Sequence, residues 1–233
     1  MRAICLLVSV VGCFLASAST VAAESALRLT THDLPPYGTY SGPDNRFDGI
    51  AARVVDCVLR RLGRSYELEV LPWARAQKTV QTGGADGFFA ASQNAERDSY
   101  AEMSAIIAEQ EWRWYLLAES PADPRSPEFR QRASVGSFVG GNMLDWLKRN
   151  GYRVDASPTN TGQLLSMLEN GRVDAVLANN LVMEELLKKR GSQGHLRSVL
   201  QENKPLGVYF SKAFLAKSPG FLAAFNRQVP ACR

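Results

Sequence analysis

Two segments in different halves of the chain share one residue pattern. Residues 83–90 (GGADGFFA) and residues 171–178 (GRVDAVLA) each begin with glycine and place aspartate fourth, before a run of small and apolar residues. The glycine suits the end of a helix, and the run after the aspartate suits a buried strand. Two unrelated helix–strand turns could match in this way by chance. The pattern favours a chain that contains two lobes built alike.

Predicted strands and helices alternate along the chain. The predicted strands lie at residues 26–31, 66–71, 86–91, 111–118, 133–138, 152–156, 173–178 and 206–210. The predicted helices lie at residues 50–62, 73–81, 143–149, 161–169, 181–189 and 219–228. This alternation predicts an α/β fold with mostly parallel sheets. It is interrupted near residue 120, where three prolines follow within eight residues, and again near residue 202.

The ends of the predicted strands indicate where a ligand would bind. In sheets of this kind, ligands bind beyond the carboxyl ends of the strands. Ser92, Gln93 and Asn94 follow one buried strand, and Asn179 and Asn180 follow its counterpart in the other half. We therefore expect these two polar groups to face each other across a cleft.

The first 23 residues have the composition of a secretory signal. Arg2 precedes an apolar run over residues 3–16, and small residues then lead to Val21-Ala22-Ala23. This order predicts cleavage after Ala23 and a periplasmic mature chain. A retained membrane anchor is one alternative. A lipoprotein modified at Cys13 is another.

Removal of residues 1–23 leaves Cys57 and Cys232 as the cysteines of the mature chain. An even pair in an exported protein predicts one disulfide bond. Two unpaired, buried thiols are the alternative. No CxxC spacing indicates a redox motif or a zinc site.

Charge and hydropathy exclude two classes of protein. The formal net charge is only +4, and the 27 basic residues are scattered, which argues against a nucleic-acid-binding surface. After the N-terminus, no apolar run approaches the roughly 20 residues that a membrane-spanning helix needs. We therefore expect no nucleic-acid partner and no membrane insertion of the mature chain.

Several motifs occur together in the order that one known family shows. The sequence resembles the family 3 extracellular solute-binding proteins, the periplasmic receptors of amino-acid ABC importers. The stretches that carry the resemblance are Leu34–Tyr37 with Phe47–Ile50, Gly84–Ser92 with Asn94–Arg97, Val135–Asn142, and Gly171–Ala175. The last three resemble the family's strand with its T-P-E-R motif, its G-V-x-x-G-S-T turn and its G-R-x-D-A strand.

The resemblance implies a type II periplasmic binding protein fold, in which two α/β lobes joined by two hinge crossings close on a small ligand. Lobe one would comprise residues 24–118 and 206–233, and lobe two residues 119–205. A disulfide between Cys57 and Cys232 would then lie within lobe one. The implied ligand is small, polar and amino-acid-like, and it carries a carboxylate. The implied protein partner is an ABC permease or a membrane sensor. We expect a monomer that needs no cofactor.

The resemblance also implies an anion site. Arg97 matches the family arginine that binds a ligand carboxylate, for which a bidentate guanidinium is well suited. The alternative role for Arg97 is that of a surface arginine paired with a neighbouring acid. Asn94 and Ser92 are expected to donate to the same carboxylate. Gly141 and Asn142 precede the predicted helix at Met143, whose N-terminus favours an anion, although Asn142 also suits a simple helix cap.

Two positions depart from the family pattern. Asn179 stands where the family commonly has an aspartate that neutralises a ligand ammonium group, so a zwitterionic ligand would lose that partner. Leu34 stands where amino-acid binders often have an aromatic residue. Tyr37 and Trp73, with Trp112, are the candidates for an aromatic wall, and core packing is the alternative for Trp73. Arg75 is a further candidate cation.

The sequence argues against an enzyme. His32 and His195 are its only histidines, and it contains no G-x-S-x-G, H-E-x-x-H or P-loop motif. We therefore expect no catalytic residue and no metal site. Two alternatives stay open, a small periplasmic enzyme such as a dehydratase on the same fold, and a solute sensor that does not take part in transport.

Overall fold

Two five-stranded sheets organise the chain in a computed structural model that describes residues 25–233. Each sheet is covered by helices and forms the centre of one lobe. The predicted signal segment, residues 1–23, lies outside the described residues.

The first sheet forms lobe one. Its strands are β1 (Leu27–Thr31), β4 (Tyr66–Val70), β5 (Gly87–Ser92), β6 (Ala101–Met103) and β12 (Leu206–Ser211), and they lie in the order β4-β1-β5-β12-β6. A separate hairpin is formed by β2 (Thr39–Ser41) and β3 (Arg46–Asp48). The helices of this lobe are α1 (Ile50–Arg61), α2 (Trp73–Gln81), α3 (Ala95–Tyr100), α8 (Lys212–Lys217) and α9 (Phe221–Gln228), and a 3₁₀ turn follows at Val229–Ala231.

The second sheet forms lobe two. Its strands are β7 (Glu111–Leu117), β8 (Ser134–Gly136), β9 (Arg153–Ala156), β10 (Ala175–Asn179) and β11 (Leu196–Asn203), in the order β11-β7-β10-β8-β9. The helices are α4 (Phe129–Arg132), α5 (Asn142–Arg149), α6 (Thr161–Glu169) and α7 (Asn180–Arg190). Both lobes have apolar cores, centred on residues such as Phe89 and Phe210 in lobe one and Trp114 and Leu177 in lobe two.

The repeated sequence pattern has the same structural role in both lobes. Gly83 and Gly171 follow α2 and α6 in the left-handed conformation, with φ of 81° and 65°. Asp86 accepts a hydrogen bond from the backbone N–H of Arg28 over 2.8 Å, and Asp174 accepts one from Ser134 over 2.7 Å. Each aspartate thus ties the start of a central strand, β5 or β10, to the neighbouring parallel strand.

The sheets are less parallel than the alternation of elements predicts. Strands β4, β1 and β5 are parallel, as are β10, β8 and β9. The pairings of β12 with β5 and β6, and of β7 with β10 and β11, are antiparallel. The reason is that β7 and β12 each begin where the chain has just passed from one lobe to the other, with no covering helix before them.

The first passage between the lobes lies earlier than the sequence pattern predicts. Strand β7, expected in lobe one, pairs with β10 and β11 in the second sheet. The chain therefore crosses between Ala108, which still pairs with Leu206 of lobe one, and Glu111, where β7 begins. The passage does not lie near residue 120, and the boundary at residue 118 is wrong. The prolines of residues 120–127 mark only a loop after β7. The return passage is Lys204–Pro205. The Lys204 N–H donates to the Gln110 carbonyl oxygen, and Gln110 Nε2 donates to the Lys204 carbonyl oxygen. The two passages therefore lie side by side.

The predicted disulfide is confirmed. Cys57 on α1 is bonded to Cys232, directly after the C-terminal 3₁₀ turn. Both residues lie in lobe one, and the bond fixes the end of the chain to the first helix.

Candidate functional site

A small cavity lies between the two lobes, at the carboxyl ends of their central strands. His32 follows β1, Ser92 ends β5 and Asn179 ends β10, and all three line the cavity. Its volume is about 30 Å³, and it is lined by fourteen residues from both lobes. They are His32, Leu34, Trp73, Ala90, Ser92, Arg97, Gln110, Trp112, Phe138, Gly141, Asn142, Met143, Asn179 and Leu206.

An irregularity in β5 shapes the lobe-one wall. Ala90 has a φ of 61°, which is unusual for a residue other than glycine, and the register between β5 and β12 shifts at this point. A bulge of this kind redirects the side chains that follow it. Ala90, at this irregularity, and Ser92, which follows it, both line the cavity.

Arg97 is the only Lys, Arg, Asp or Glu of the described chain that is buried, with 2% of its surface exposed. It lies on α3, and its Nε donates to Gln77 Oε1 over 2.8 Å, while Nη1 donates to the Ser92 carbonyl oxygen. Its guanidinium also lies over the Trp73 ring at 5.1 Å. No acid within residues 25–233 forms an ion pair with Arg97.

The buried guanidinium keeps its charge at neutral pH. Desolvation lowers the pKa of Arg97 to about 10, and the nearby tyrosines and the exposed acids Glu96 and Asp145 oppose this shift only in part. An unpaired charge held away from water costs several kcal/mol. An anion that enters the cavity therefore gains a partner that the protein itself does not supply.

His32 forms a neutral surface beside Arg97. Its ring packs against Trp73 with 4.2 Å between the ring centroids and an angle of 35° between the ring planes. Burial, with the Arg97 charge as a second cause, lowers the pKa of His32 to about 3. Its Nδ1 is buried and makes no hydrogen bond to any described residue. His32 therefore contributes a polar atom but no charge to the cavity.

Asn142 connects the lobes. It is the first residue of α5, and its Nδ2 donates to Ser92 Oγ over 3.0 Å. Its Oδ1 accepts from Asn94 Nδ2 over 2.6 Å. Next to it, a Cβ added to Gly141 would lie 2.8 Å from the Phe138 ring, so only glycine lets this loop approach the aromatic wall.

Asn179 has an unpaired amide. It is the last residue of β10 and is 6% exposed. Its Oδ1 is buried without a hydrogen-bond partner in residues 25–233, and no hydrogen bond from its Nδ2 is formed there either. A buried amide left in this state costs free energy. It is therefore available to a ligand as both donor and acceptor.

The fold is similar to that of several solved proteins. The arginine-bound form of ArgBP from T. maritima matches with a TM-score of 0.72 and 15% identity, over 89% of this chain and 96% of that one. A substrate-binding protein of an ABC uptake transporter from Streptococcus pneumoniae, with bound histidine, matches with a TM-score of 0.74 and 14% identity, over 88% and 86%. A histidine kinase sensor domain similar to periplasmic binding proteins matches with a TM-score of 0.76 and 15% identity, over 88% and 89%.

This chain has the two-lobed fold of the periplasmic binding proteins. The predicted α/β fold with two lobes is thereby confirmed. No protein-family model and no curated protein matches the chain by sequence. Two of the three similar structures are binding proteins, and the third is a histidine kinase sensor domain. In this binding-protein fold, the cavity between the lobes is the candidate ligand site.

Most of the predicted site residues lie together in this cleft. The residues that line the cavity are Trp73, Ser92, Arg97, Gly141, Asn142 and Asn179. Two predicted residues do not line it. Tyr37 is fully buried and donates from its hydroxyl to the Glu109 carbonyl over 3.0 Å. Asn94 caps α3 by accepting from the Arg97 N–H, and its Nδ2 is bound to Asn142.

The remaining candidate residues differ in whether they reach the cleft. Trp112 lines the cavity, whereas Arg75 is exposed on α2 and does not. Gln93 donates to Asp98, Asn180 accepts from the Glu111 N–H, and neither residue lines the cavity. Of these four residues, only Trp112 is in a position to contact a ligand.

Six lining residues were not predicted: His32, Ala90, Gln110, Phe138, Met143 and Leu206. His32 follows β1 just as Ser92 ends β5, so the rule about strand ends could have found it. Gln110 lies on the first passage between the lobes, which the sequence pattern places too late. Phe138 follows β8 and packs against lobe-one residues such as Trp73. Its role depends on the contact between lobes, which no local pattern encodes.

The described part of the chain contains no cluster of three or more His, Cys, Asp or Glu side chains that could hold a metal ion. Within the same residues, no helix is long and apolar enough to cross a membrane.

Proposed function

We propose that this protein is a periplasmic solute receptor that binds a small, carboxylate-bearing solute between its lobes and delivers it to an ABC importer. One observation carries this proposal. The only buried charged residue of the described chain, Arg97, lines the cavity between the lobes and has no acidic partner. A carboxylate pairs with a guanidinium in the bidentate geometry that compensates such a charge.

The architecture supports capture by closure. A cavity of about 30 Å³ accommodates only a few water molecules, and both lobes contribute to its walls. A solute can enter only if the lobes separate, and the adjacent passages at residues 109–110 and 204–205 are the segments about which they would rotate. Contacts that a solute makes to both lobes at once would favour the closed form.

The similar structures support the same class of function. One is a substrate-binding protein of an ABC uptake transporter with bound histidine, and another is an arginine-bound ArgBP. The predicted signal segment is in keeping with export to the periplasm. Removal of that segment would release the receptor from the membrane.

A solute sensor is the second candidate, because a histidine kinase sensor domain has the same fold with a TM-score of 0.76. Both candidates require ligand capture and differ only in the membrane partner. The two candidate functions are distinguished by measuring uptake of the labelled ligand in cells that lack this protein. An importer subunit is needed for uptake, whereas a sensor is needed only for the transcriptional or kinase response.

The proposal is tested by thermal-shift titration of residues 24–233 with amino acids, hydroxy acids, dicarboxylates, polyamines and sugars. A bound solute raises the unfolding midpoint, by about 2.7 kcal/mol of stabilisation at one hundred times its dissociation constant. We expect a rise with carboxylates and recovery of the compound unchanged by mass spectrometry. Conversion to a product would favour the enzyme alternative, and no rise with any compound would contradict the proposal.

A further inference from the structure

We infer that the solute is a carboxylate anion without an ammonium group, in which an uncharged group such as a hydroxyl stands where an α-amino acid carries its amine. This inference rests on the proposed function and concerns the same cavity. It departs from the amino-acid-like ligand that the sequence resemblance implies.

The charge of the cavity is the first argument. Its fourteen lining residues include one cation, Arg97, and no Asp or Glu. A carboxylate would neutralise that cation. An ammonium group in the same cavity would add a second buried positive charge with no acid to compensate it, which is strongly unfavourable.

The acids near the cavity are engaged or exposed. Asp98 accepts hydrogen bonds from the Tyr209 hydroxyl over 2.6 Å and from Gln93 over 3.2 Å. Glu96 and Asp145 act on Arg97 through space but have exposed side chains. Glu111 forms an ion pair with Arg113. None of these carboxylates lines the cavity.

The unpaired polar atoms are the second argument. Asn179 Oδ1 and His32 Nδ1 are both buried without partners in the described structure, and both residues line the cavity. Both side chains are uncharged at neutral pH, because burial holds the pKa of His32 near 3. A hydroxyl group can donate a hydrogen bond to a neutral acceptor such as Asn179 Oδ1 without adding charge.

The remaining lining residues indicate the chemistry of the rest of the ligand. Trp73, Trp112 and Phe138 supply aromatic faces, and Leu34, Met143 and Leu206 supply aliphatic surface. Such a lining favours an apolar substituent next to the carboxylate. A 2-hydroxy acid with an aliphatic or aromatic side chain combines all three features.

The test compares pairs of ligands that differ only in this group. Isothermal titration calorimetry on residues 24–233 is performed with L-lactate and L-alanine, L-2-hydroxyisocaproate and L-leucine, L-3-phenyllactate and L-phenylalanine, and L-malate and L-aspartate. In each pair that binds, we expect the hydroxy acid to bind at least roughly tenfold more tightly than the amino acid. An amino acid that binds as tightly as its hydroxy analogue, or more tightly, overturns the inference while leaving the proposed receptor function intact.

The Asn179→Asp variant provides the second measurement. The new carboxylate would repel the ligand anion and attract an ammonium group, so we expect the preference within each pair to reverse. Asn180→Asp is the matched control, because Asn180 does not line the cavity and an aspartate retains the oxygen that accepts from the Glu111 N–H. An unchanged preference in the Asn179 variant overturns the inference. Absence of binding in all four pairs also overturns it, and the broader thermal-shift panel then decides separately whether the receptor function stands.

Discussion

Asn142 Nδ2 in lobe two donates a hydrogen bond to Ser92 Oγ in lobe one over 3.0 Å. The same amide accepts from Asn94 Nδ2 over 2.6 Å, so one side chain makes both a donor and an acceptor contact across the cleft. These contacts lie beside Arg97, whose Nη1 donates to the Ser92 carbonyl. Lobe closure and the candidate anion site therefore share Ser92.

Loss of the Asn142 contacts should favour the open form. Substitution Asn142→Ala removes the hydrogen bonds to Ser92 and Asn94, which together are worth about 1–3 kcal/mol. We expect a larger radius of gyration in small-angle X-ray scattering without added solute. Asn150→Ala, at the other end of α5, removes only a local bond to the Trp146 carbonyl and is the matched control. Equal radii for wild type and the Asn142 variant would contradict a role in closure.

Arg97 should be essential for binding a carboxylate. Substitution Arg97→Gln removes the buried cation and retains an amide that can donate hydrogen bonds. We expect affinity for the best carboxylate ligand to fall roughly 100-fold or more, which corresponds to at least about 2.7 kcal/mol. Calorimetry measures the loss, and circular dichroism verifies folding. Arg75→Gln, which changes an exposed arginine of α2, should retain full affinity. If the two variants bind equally well, Arg97 is not the anion site.

His32 should make the fold less stable in acid. Its pKa is lowered by burial from 6.5 to about 3, so below pH 6.5 the unfolded chain binds a proton that the folded chain does not. Stability is therefore lost as the pH falls. From pH 7.5 to pH 5 this one group accounts for about 2 kcal/mol of the free energy of unfolding. Urea denaturation at both pH values should show a smaller loss for His32→Gln than for wild type.

His195 provides the control for that experiment. It is the second of the two histidines in the sequence, and its side chain is exposed. His195→Gln should lose as much stability between pH 7.5 and pH 5 as wild type does. An identical loss in the His32 and His195 variants would show that the pKa of His32 is the same in the folded and the unfolded chain, which contradicts the prediction.

Local patterns in the sequence predict most of the fold. Helices α2 and α6 have the bounds that their apolar spacing and flanking residues indicate, and the repeated glycine and aspartate identify the equivalent turns of the two lobes. The strand ends and the family resemblance together predict Arg97, Ser92 and Asn179 as site residues. All of these features are encoded within short stretches of chain.

Features that depend on distant contacts were not predictable in this way. Strand β11 (Leu196–Asn203) has an irregular burial pattern and a bulge near Leu200, so its sequence lacks the alternation of a regular strand. The lobe assignment of β7 depends on hydrogen bonds to β10 and β11. Asn94 looks like a ligand residue in sequence, but its amide is used by the α3 cap and by Asn142. Only the folded chain determines which donors remain for a ligand.

The disulfide should stabilise the fold without affecting ligand binding. The Cys57–Cys232 bond closes a loop with a sequence separation of 175, and the restriction of the unfolded chain is worth about 3–5 kcal/mol. We expect the Cys57→Ser/Cys232→Ser double variant to lose this amount in urea denaturation. Wild type treated with a reducing agent should match the variant, and the variant itself should not respond to the reagent. Equal stability of oxidised wild type and the variant would contradict this role.

The most direct test of the account is a crystal structure of residues 24–233 with the carboxylate that gives the largest thermal shift. The account predicts the ligand between the two sheets, with its carboxylate within hydrogen-bonding distance of the Arg97 guanidinium and an uncharged polar group at Asn179. A ligand bound outside this cleft, or one within it whose carboxylate does not contact Arg97, would contradict the account.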